Sequence, residues 1–211
     1  MTDETSPGDH AAATEDAETF ERRHQETVRR QLQRALRGAV RVKLTRSYRT
    51  SYEITRFAQR IPPDPELEAM ERHGEEPAIV ACRSRKEENA AIRQAVEAFL
   101  DSDYNHPGII HKTQRQARAT HKALTKAGIP AQLVDEESPS YGHGVLVCTA
   151  HLAKGLEFDR VVIPRAEAAN YHSEGDRHLL YVACTRAMHR LTLTHTGEVT
   201  PLIGPEDEPA A

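Results

Sequence analysis

Residues 144–166 read GVLVCTAHLAKGLEFDRVVIPRA. The apolar run Val145–Val147 predicts a short strand, and Val161–Ile163 predicts a second buried strand. A polar loop over Cys148–Gly155, which carries Lys154, joins the two. Short buried strands with polar residues beside them are typical of α/β sheets that hold ligands at strand ends, so we expect a functional site here.

A second block, residues 178–193, reads HLLYVACTRAMHRLTL. Leu179–Val182 runs into Thr185-Arg186-Ala187, a pattern that predicts a helix presenting one arginine at its end. Leu191–Thr194 then predicts a further strand. An arginine in that position suits a negatively charged partner.

Strands and helices alternate through the rest of the chain. The predicted strands are residues 42–44, 78–82, 108–111 and 131–134, and the predicted helices are residues 52–61, 86–100 and 115–127. Strands alternating with helices of this length indicate right-handed βαβ units and a parallel sheet covered on both faces. We therefore predict an α/β fold with its ligand sites at the carboxyl ends of the strands.

Composition divides the chain into four segments. Residues 1–15 are polar and without periodicity, which predicts a disordered arm. Residues 16–40 carry apolar positions mostly at helical spacing and predict one amphipathic basic helix. The α/β domain is expected over residues 41–204, followed by an acidic tail over residues 205–211.

The overall composition excludes several classes of protein. Of the 211 residues, 38% are hydrophobic and 28% are charged, and no apolar run approaches the length needed to cross a bilayer. No secretory leader opens the sequence, so we expect a cytoplasmic location and no membrane partner. Cys82, Cys148 and Cys184 are far apart and lie in or beside apolar segments, which favours buried free thiols over metal ligands.

The distribution of charge is more informative than the net charge of −4. Twelve cationic residues crowd residues 22–60, and residues 104–134 contain no Asp or Glu. The cations of that second region are Lys112, Arg115, Arg118, Lys122 and Lys126. These side chains either meet phosphate groups or solvate exposed helix faces.

Three blocks resemble conserved motifs of the UvrD-like superfamily 1 helicases. LTRSYRTSYEITRFAQRI at residues 44–61 is similar to motif IV, TAHLAKGLEFDRVV at 149–162 to motif V, and YVACTRA at 181–187 to motif VI. The resemblance covers residues 44–204 and implies a RecA-like domain. RHGEEP at 72–77 and the short gap between motifs IV and V look most like the HelD type, whose members are helicase-related ATPases that act on bacterial RNA polymerase.

The resemblance implies roles in ATP hydrolysis. Phosphoryl transfer needs cations on the γ-phosphate as charge builds there. Arg186 matches the arginine finger of the family and Arg49 an arginine that reaches the γ-phosphate, so both are expected catalytic residues. The expected nucleotide-binding residues are Tyr48, which would stack on adenine, Gly155, which permits close backbone approach, Glu157, which would meet the ribose hydroxyl or the γ-phosphate network, and Tyr181. The alternatives are a surface ion pair for Arg49 and a plain helix-start acid for Glu157.

The same resemblance implies contacts with single-stranded nucleic acid. Thr149 and His151 are similar to residues that meet the strand backbone, and Lys154 would couple that track to the nucleotide. Thr113 and Arg115 follow a predicted strand where the family often has another such contact. A solvated loop remains the alternative for His151.

Two parts of an ATP site are missing from the sequence. No Gly is followed by Lys, so the phosphate-binding loop GxxxxGK[ST] is absent, and no acidic pair for Mg²⁺ precedes motif IV. Asp135 and Glu136 are expected in a solvated loop. We therefore expect ATP with Mg²⁺ only at a shared site that a first RecA-like domain completes, and no ATP hydrolysis by this chain alone.

Three hypotheses follow. The first is the catalytic C-terminal half of a helicase-type motor. The second is a binding module that holds single-stranded DNA or RNA, or RNA polymerase, without hydrolysis. The third is a decayed gene fragment. Nucleic-acid-stimulated ATPase activity with a first half separates the first from the others.

Overall fold

The structure is a computed structural model that describes residues 46–47, 49–61, 68–69, 71–100, 106–135 and 144–204. These residues belong to a compact unit that extends from Leu44 to Ala211. The predicted arm, amphipathic helix, first strand and acidic tail lie outside the described residues, as does Tyr48.

Six of the described strands form one all-parallel sheet. The eight strands in the described residues are β1 (Arg46–Ser47), β2 (Glu68–Ala69), β3 (Ala78–Ala81), β4 (Pro107–His111), β5 (Ala131–Leu133), β6 (Val145–Thr149), β7 (Phe158–Ile163) and β8 (Ala187–His195). The strand order is β3-β8-β7-β4-β6-β5, and every neighbouring pair is parallel. β1 and β2 pair in parallel as a separate ribbon. The predicted α/β fold is confirmed.

Helices cover both faces of the sheet. They are α1 (Tyr52–Gln59), α2 (Arg85–Leu100), α3 (Gln114–Lys126) and α4 (Glu174–Cys184). α1 and α4 pack on one face through Ile54 and Leu180, and α2 and α3 pack on the other through Ile92 and Leu124. None of the helices in the described ranges is long and apolar enough to cross a membrane.

The central strands β4 and β6 are buried at every position. Side chains of consecutive residues point to opposite faces, so Ile109 and Val147 join one core while Ile110 and Cys148 join the other. This double burial explains why these strands appear in the sequence as continuous apolar runs.

Four strands are longer than the apolar pattern predicts. β4 begins one residue early at Pro107, β6 continues to Thr149, β7 begins at Phe158 and β8 begins at Ala187. Cys148 and Thr149 therefore belong to a strand, not to a polar loop. The pattern missed these positions because a backbone ladder continues wherever its partner strand does, whatever side chains it carries.

The close approach of β4 and β7 requires glycine at position 108. A Cβ atom placed there would lie 2.7 Å from Cγ of Phe158, a side chain that is itself buried. Because the Phe158 ring is buried and β4 is paired with β7, a methyl group at this position would displace the ring or separate the two strands.

The three cysteines are free and buried, as the sequence predicts. Burial raises the pKa of the Cys148 thiol to about 12, and burial also raises the pKa of the Cys184 thiol. Both thiols therefore stay protonated at neutral pH and pack as small apolar side chains.

One buried residue makes the stability of the domain depend on pH. His111 ends β4 and is 1% exposed, and neither ring nitrogen has a hydrogen-bond partner among the described residues. Burial, assisted by the charge of Arg165, lowers the pKa of His111 to about 3. The imidazole is therefore neutral in the folded chain at every pH above that value.

We predict that His111 destabilises the domain as the pH falls below about 6.5, the ordinary histidine pKa. Below that pH the unfolded chain binds a proton that the folded chain excludes, which costs about 2 kcal/mol at pH 5. Urea unfolding at pH 7.5 and pH 5 checks this value when the chain is compared with His111→Phe. The carboxylates contribute equally to both proteins, so equal losses of stability in the two would contradict the prediction.

Candidate functional site

The predicted site residues lie at two opposite edges of the sheet. We call the edge where the strands begin the amino edge and the edge where they end the carboxyl edge. Glu157 directly precedes β7 and Arg186 directly precedes β8, so both lie at the amino edge. The expectation that all motif residues lie at carboxyl ends is wrong for these two, because the loop after β6 crosses back over the sheet before Glu157.

The amino-edge cluster, which we define as Arg49, Glu157 and Arg186, brings together residues from the three sequence blocks that resemble motifs IV, V and VI. Nε of Arg49 lies 2.7 Å from Oε1 of Glu157, and the two side chains are 62% and 41% exposed. The Arg186 guanidinium is half-buried and donates to the carbonyl oxygens of Val182 at 3.2 Å and Leu156 at 3.4 Å. Glu157 precedes a strand, so its interpretation as a helix-start acid is wrong.

Local structure holds Arg186 in place. A capping box between Ser173 and Asp176 begins α4, and the helix ends at Cys184. The Thr185 hydroxyl donates to the carbonyl of Val182 at 3.0 Å and accepts a 3.4 Å bond from Nη2 of Arg186. The backbone N–H of Phe158 donates to the Arg186 carbonyl at 3.0 Å. The arginine is therefore anchored to both the helix and the sheet.

The electrostatics of the cluster favour an anion. Burial and the nearby charge of Arg49 lower the pKa of Arg186, and Glu157 opposes that effect. The guanidinium still carries its charge at neutral pH because its ordinary pKa lies above 12. Two cations share one carboxylate, so an added negative group would relieve the repulsion between them.

An open pocket adjoins this cluster. Its lining residues are Arg49, Thr50, Thr55, Ala58, Tyr181, Thr185 and Arg186. Tyr181 is half-buried and packs against the core on the α1 and α4 side of the sheet. The predicted nucleotide-side residues Tyr181, Arg49 and Arg186 therefore share one cavity, with Glu157 at its rim through the pair with Arg49.

A second pocket lies at the carboxyl edge. It is lined by Lys112, Gln114, Arg118, Asp135, Thr149, His151 and Leu152. His151 is exposed, whereas Thr149 is 7% exposed and its hydroxyl accepts a 3.4 Å bond from the Leu152 amide. The structure thus brings Thr149 and His151 together, with Thr149 buried at the base of the turn.

Thr113 and Arg115 lie beside this pocket and do not line it. Both are exposed. The Thr113 hydroxyl accepts a 3.4 Å bond from the Gln116 amide and caps the start of α3. This capping role accounts for a threonine at position 113 without any contact to a ligand.

The ammonium group of Lys112 is bound to other residues of the chain. Its Nζ atom lies 2.5 Å from Oδ1 of Asp176 and donates to the carbonyl of Asn170 at 2.7 Å. These bonds occupy the ammonium group, and a contact between Lys112 and phosphate stays a prediction. Sequence could not show this ion pair, because the two residues are far apart in the chain.

Residues 150–157 connect the two edges. They leave the carboxyl edge after Thr149, form a helical turn in which the Ala153 amide bonds the Thr149 carbonyl at 2.9 Å, and reach the amino edge at Glu157. Lys154 is exposed on this crossover. Gly155 has a φ of +90°, a conformation that favours glycine.

Sequence reasoning missed Gln114 and Leu152 of the carboxyl-edge pocket and named Arg118 only among five cations without a defined site. Gln114 and Arg118 are four positions apart on α3, so helical spacing alone placed them on one face. Asp135 follows β5 outside regular secondary structure, as predicted, and it is half-buried and lines the pocket. Its position beside Thr149 depends on the pairing of β5 with β6.

An all-parallel sheet between two helical layers, with two arginines beside a pocket at one edge and a polar pocket at the other, defines a domain of the RecA-like class. Residues 144–194 match the family model of the UvrD-like helicase C-terminal domain. A crystal structure of the C-terminal domain of a possible DNA helicase from Lactobacillus plantarum WCFS1 is 34% identical. The similarity covers 77% of this chain and 95% of that one, with a TM-score of 0.65. The chain belongs to the UvrD-like helicase C-terminal domain family.

Two curated relatives give a more limited match. DNA helicase II of Escherichia coli K12 and DNA helicase II of Salmonella typhimurium LT2 are each 37% identical over 101 residues. The match covers 43% of this chain and 13% of each relative. The chain therefore spans a small part of the length of these helicases.

The two ion pairs of the site differ in what they contribute to stability. Burial raises the pKa of Asp176, but bonds from Lys112 and from the amides of His172 and Ser173 outweigh it and hold the pKa well below its usual value. Asp176 is 7% exposed in its side chain, against 41% for Glu157.

We predict that Asp176→Asn lowers the free energy of unfolding by about 2 to 3 kcal/mol, because it leaves Lys112 and the capping amides poorly paired. Glu157→Gln changes it by less than about 1 kcal/mol, because that pair is exposed. Urea unfolding at pH 7 measures both. A loss in Glu157→Gln as large as that in Asp176→Asn would show that the amino-edge pair is structural.

Proposed function

We propose that this chain is the C-terminal half of an ATP-dependent superfamily 1 DNA helicase or translocase motor. Its amino edge supplies the arginine side of an ATP site that a first RecA-like domain completes. The observation that carries the proposal is the amino-edge cluster, in which residues from motifs IV, V and VI meet around a surplus positive charge.

The chemistry of phosphoryl transfer explains the arrangement. Charge accumulates on the oxygens of the γ-phosphate and of the leaving group as the bond to the γ-phosphorus breaks. Arg186 is anchored by carbonyl bonds and needs little reorganisation to meet that charge. Arg49 is exposed and exchanges Glu157 for phosphate oxygens when ATP arrives. Glu157 is then available to the ribose hydroxyl, and Tyr48 stacks on adenine.

The phosphate-binding loop and the Mg²⁺ ligands belong to the other domain. Across the parts of the chain that the structure describes, no group of three or more His, Cys, Asp or Glu side chains converges to hold a metal ion. The sequence also lacks a Gly-Lys step. Mg²⁺ would neutralise the β- and γ-phosphate oxygens from that side, and the arginines would act from this one.

In the proposed motor, the crossover over residues 150–157 couples nucleotide binding at the amino edge to nucleic-acid binding at the carboxyl edge. Single-stranded nucleic acid bound against His151 at the carboxyl edge contacts the same short segment that ends at Glu157, beside the nucleotide pocket. Gly155 and the exposed Lys154 lie between the two sites. ATP binding and strand binding thus act on one segment of eight residues, 150 to 157.

Within the family we propose the HelD type. The gap between the motif IV block, which ends at Ile61, and the motif V block, which begins at Thr149, already contains β3, α2, β4, α3 and β5 of this domain. It is therefore too short for the duplex-separating subdomain that many UvrD-like helicases insert between these motifs. Translocation or remodelling suits this architecture better than strong unwinding. RNA polymerase is the partner that this type implies.

Reconstitution tests the motor proposal. We expect that the chain, mixed with a first RecA-like domain that carries a phosphate-binding loop, hydrolyses ATP when single-stranded DNA is added. Arg186→Ala lowers kcat by about 10³-fold, the scale of an arginine finger. Arg93→Ala, an exposed arginine on α2, is the matched control and leaves kcat unchanged. An unchanged kcat in Arg186→Ala would contradict the assignment of Arg186 as the arginine finger.

The second candidate function is nucleic-acid binding without hydrolysis, and the carboxyl-edge pocket supports it. That pocket combines exposed Arg118 and His151 and does not depend on the nucleotide side. A motor that has lost its first domain would keep this surface.

We predict that the isolated chain binds single-stranded DNA with an affinity that falls as salt rises. Arg118→Ala reduces the slope of log K against log[salt] by about 0.7, the value expected for one phosphate contact on a single strand. Lys126→Ala, at the opposite end of α3, serves as the control. Equal effects of the two substitutions on fluorescence anisotropy titrations would show diffuse attraction without a defined track.

A further inference from the structure

A segment outside the three motifs lies against the amino edge. Residues 71–77 run past the start of α1, where the Tyr52 amide donates to the Arg72 carbonyl at 2.9 Å. The Gly74 amide donates to Oε2 of Glu53 at 2.8 Å, and Nδ1 of His73 lies 2.8 Å from Oε1 of the same carboxylate. The segment is therefore tied to the helix that follows Arg49.

The guanidinium of Arg72 joins two distant parts of the chain. Its Nη2 atom donates to the carbonyl of Arg49 at 2.7 Å and to the carbonyl of Met188 at 2.9 Å. The Ser51 amide donates to the same Met188 carbonyl at 3.2 Å. Met188 follows Arg186 by two residues, so Arg72 bridges the backbone segments that carry both arginines of the amino-edge cluster.

This bridge controls geometry more than stability. Arg72 is exposed, and bonds from an exposed side chain to backbone carbonyls contribute little to the free energy of folding. A planar guanidinium, however, fixes the angle between the two carbonyls that it contacts, which a flexible ammonium group does less well. Placement of a catalytic group within about 1 Å decides rate, and an error of that size costs about 100-fold.

We infer that Arg72 is a positioning residue that sets the distance between Arg49 and Arg186. It does not touch the nucleotide, and it acts through the backbone of the two arginine segments. The inference rests on the proposed function for its consequence in catalysis, while the bridge itself is testable in the isolated chain.

In the reconstituted ATPase, Arg72→Ala lowers kcat by about 10-fold to 100-fold and changes KM for ATP by less than about threefold, because the arginines act mainly on the transition state. Arg72→Lys restores part of the rate. The control is Arg190→Ala, which removes the ion pair with Glu75 of the same segment and leaves the Arg72 bonds in place. Arg190→Ala keeps kcat within about twofold of the unsubstituted chain.

In the isolated chain, the Nε–H resonance of Arg49 in a ¹⁵N NMR spectrum reports its pair with Glu157. Arg72→Ala broadens or shifts this resonance, and Arg190→Ala leaves it in place. The thermal midpoints of the two variants stay within a few degrees of each other, which separates positioning from a general loss of structure.

The outcomes distinguish the two claims. If the unsubstituted mixture shows no ATPase activity while Arg72→Ala still moves the Arg49 resonance, the proposed function fails and the bridge stands. If the mixture hydrolyses ATP and Arg72→Ala matches Arg190→Ala in both kcat and the resonance, the inference about Arg72 is overturned.

Discussion

The pairing of β7 with β8 is the interaction on which the candidate site depends. Phe158 lies opposite Ala187 at the start of this parallel ladder, and the Phe158 amide bonds the Arg186 carbonyl. The ladder shifts by one residue between Phe158 and Arg160, and beyond this irregularity Val161 lies opposite Leu191. Glu157 and Arg186 are therefore neighbours because Phe158 pairs with Ala187 before the shift. From Arg160 to Ile163 the register is constant. A further shift of one residue there would turn the apolar side chains of β7 away from their cores, so burial on both faces enforces the alignment.

The sheet also gives the domain two separate pockets, one at each edge. The amino edge gathers cations around a pocket, and the carboxyl edge gathers polar and basic side chains around another. In the part of the chain that the structure describes, residues 150–157 connect the two edges, from Thr149 to Glu157. This arrangement supports the proposed motor half, in which nucleotide binding and nucleic-acid binding would influence each other.

Two arginines of the chain illustrate how position decides role. Arg186 is half-buried and bonded to carbonyls of α4 and of the crossover, so it is fixed before any ligand arrives. Arg72 is exposed and binds only backbone oxygens in the bonds described, yet it connects the segments that follow Arg49 and Arg186. The first arginine was visible in a motif. The second lies in RHGEEP, and nothing in that sequence indicates which carbonyls its guanidinium reaches.

The sequence by itself determined the α/β class, the helices α1 to α3 nearly to the residue, the burial of the three cysteines and the family to which the chain belongs. These features follow from local periodicity, turn residues and motif spacing, which are written along the chain. Only the tertiary structure decided that the site residues divide between two edges, that Lys112 is neutralised by Asp176, and that Arg49 meets Glu157. Such contacts join residues about 60 to 110 positions apart, and they depend on strand order and register, for which no local pattern carries information.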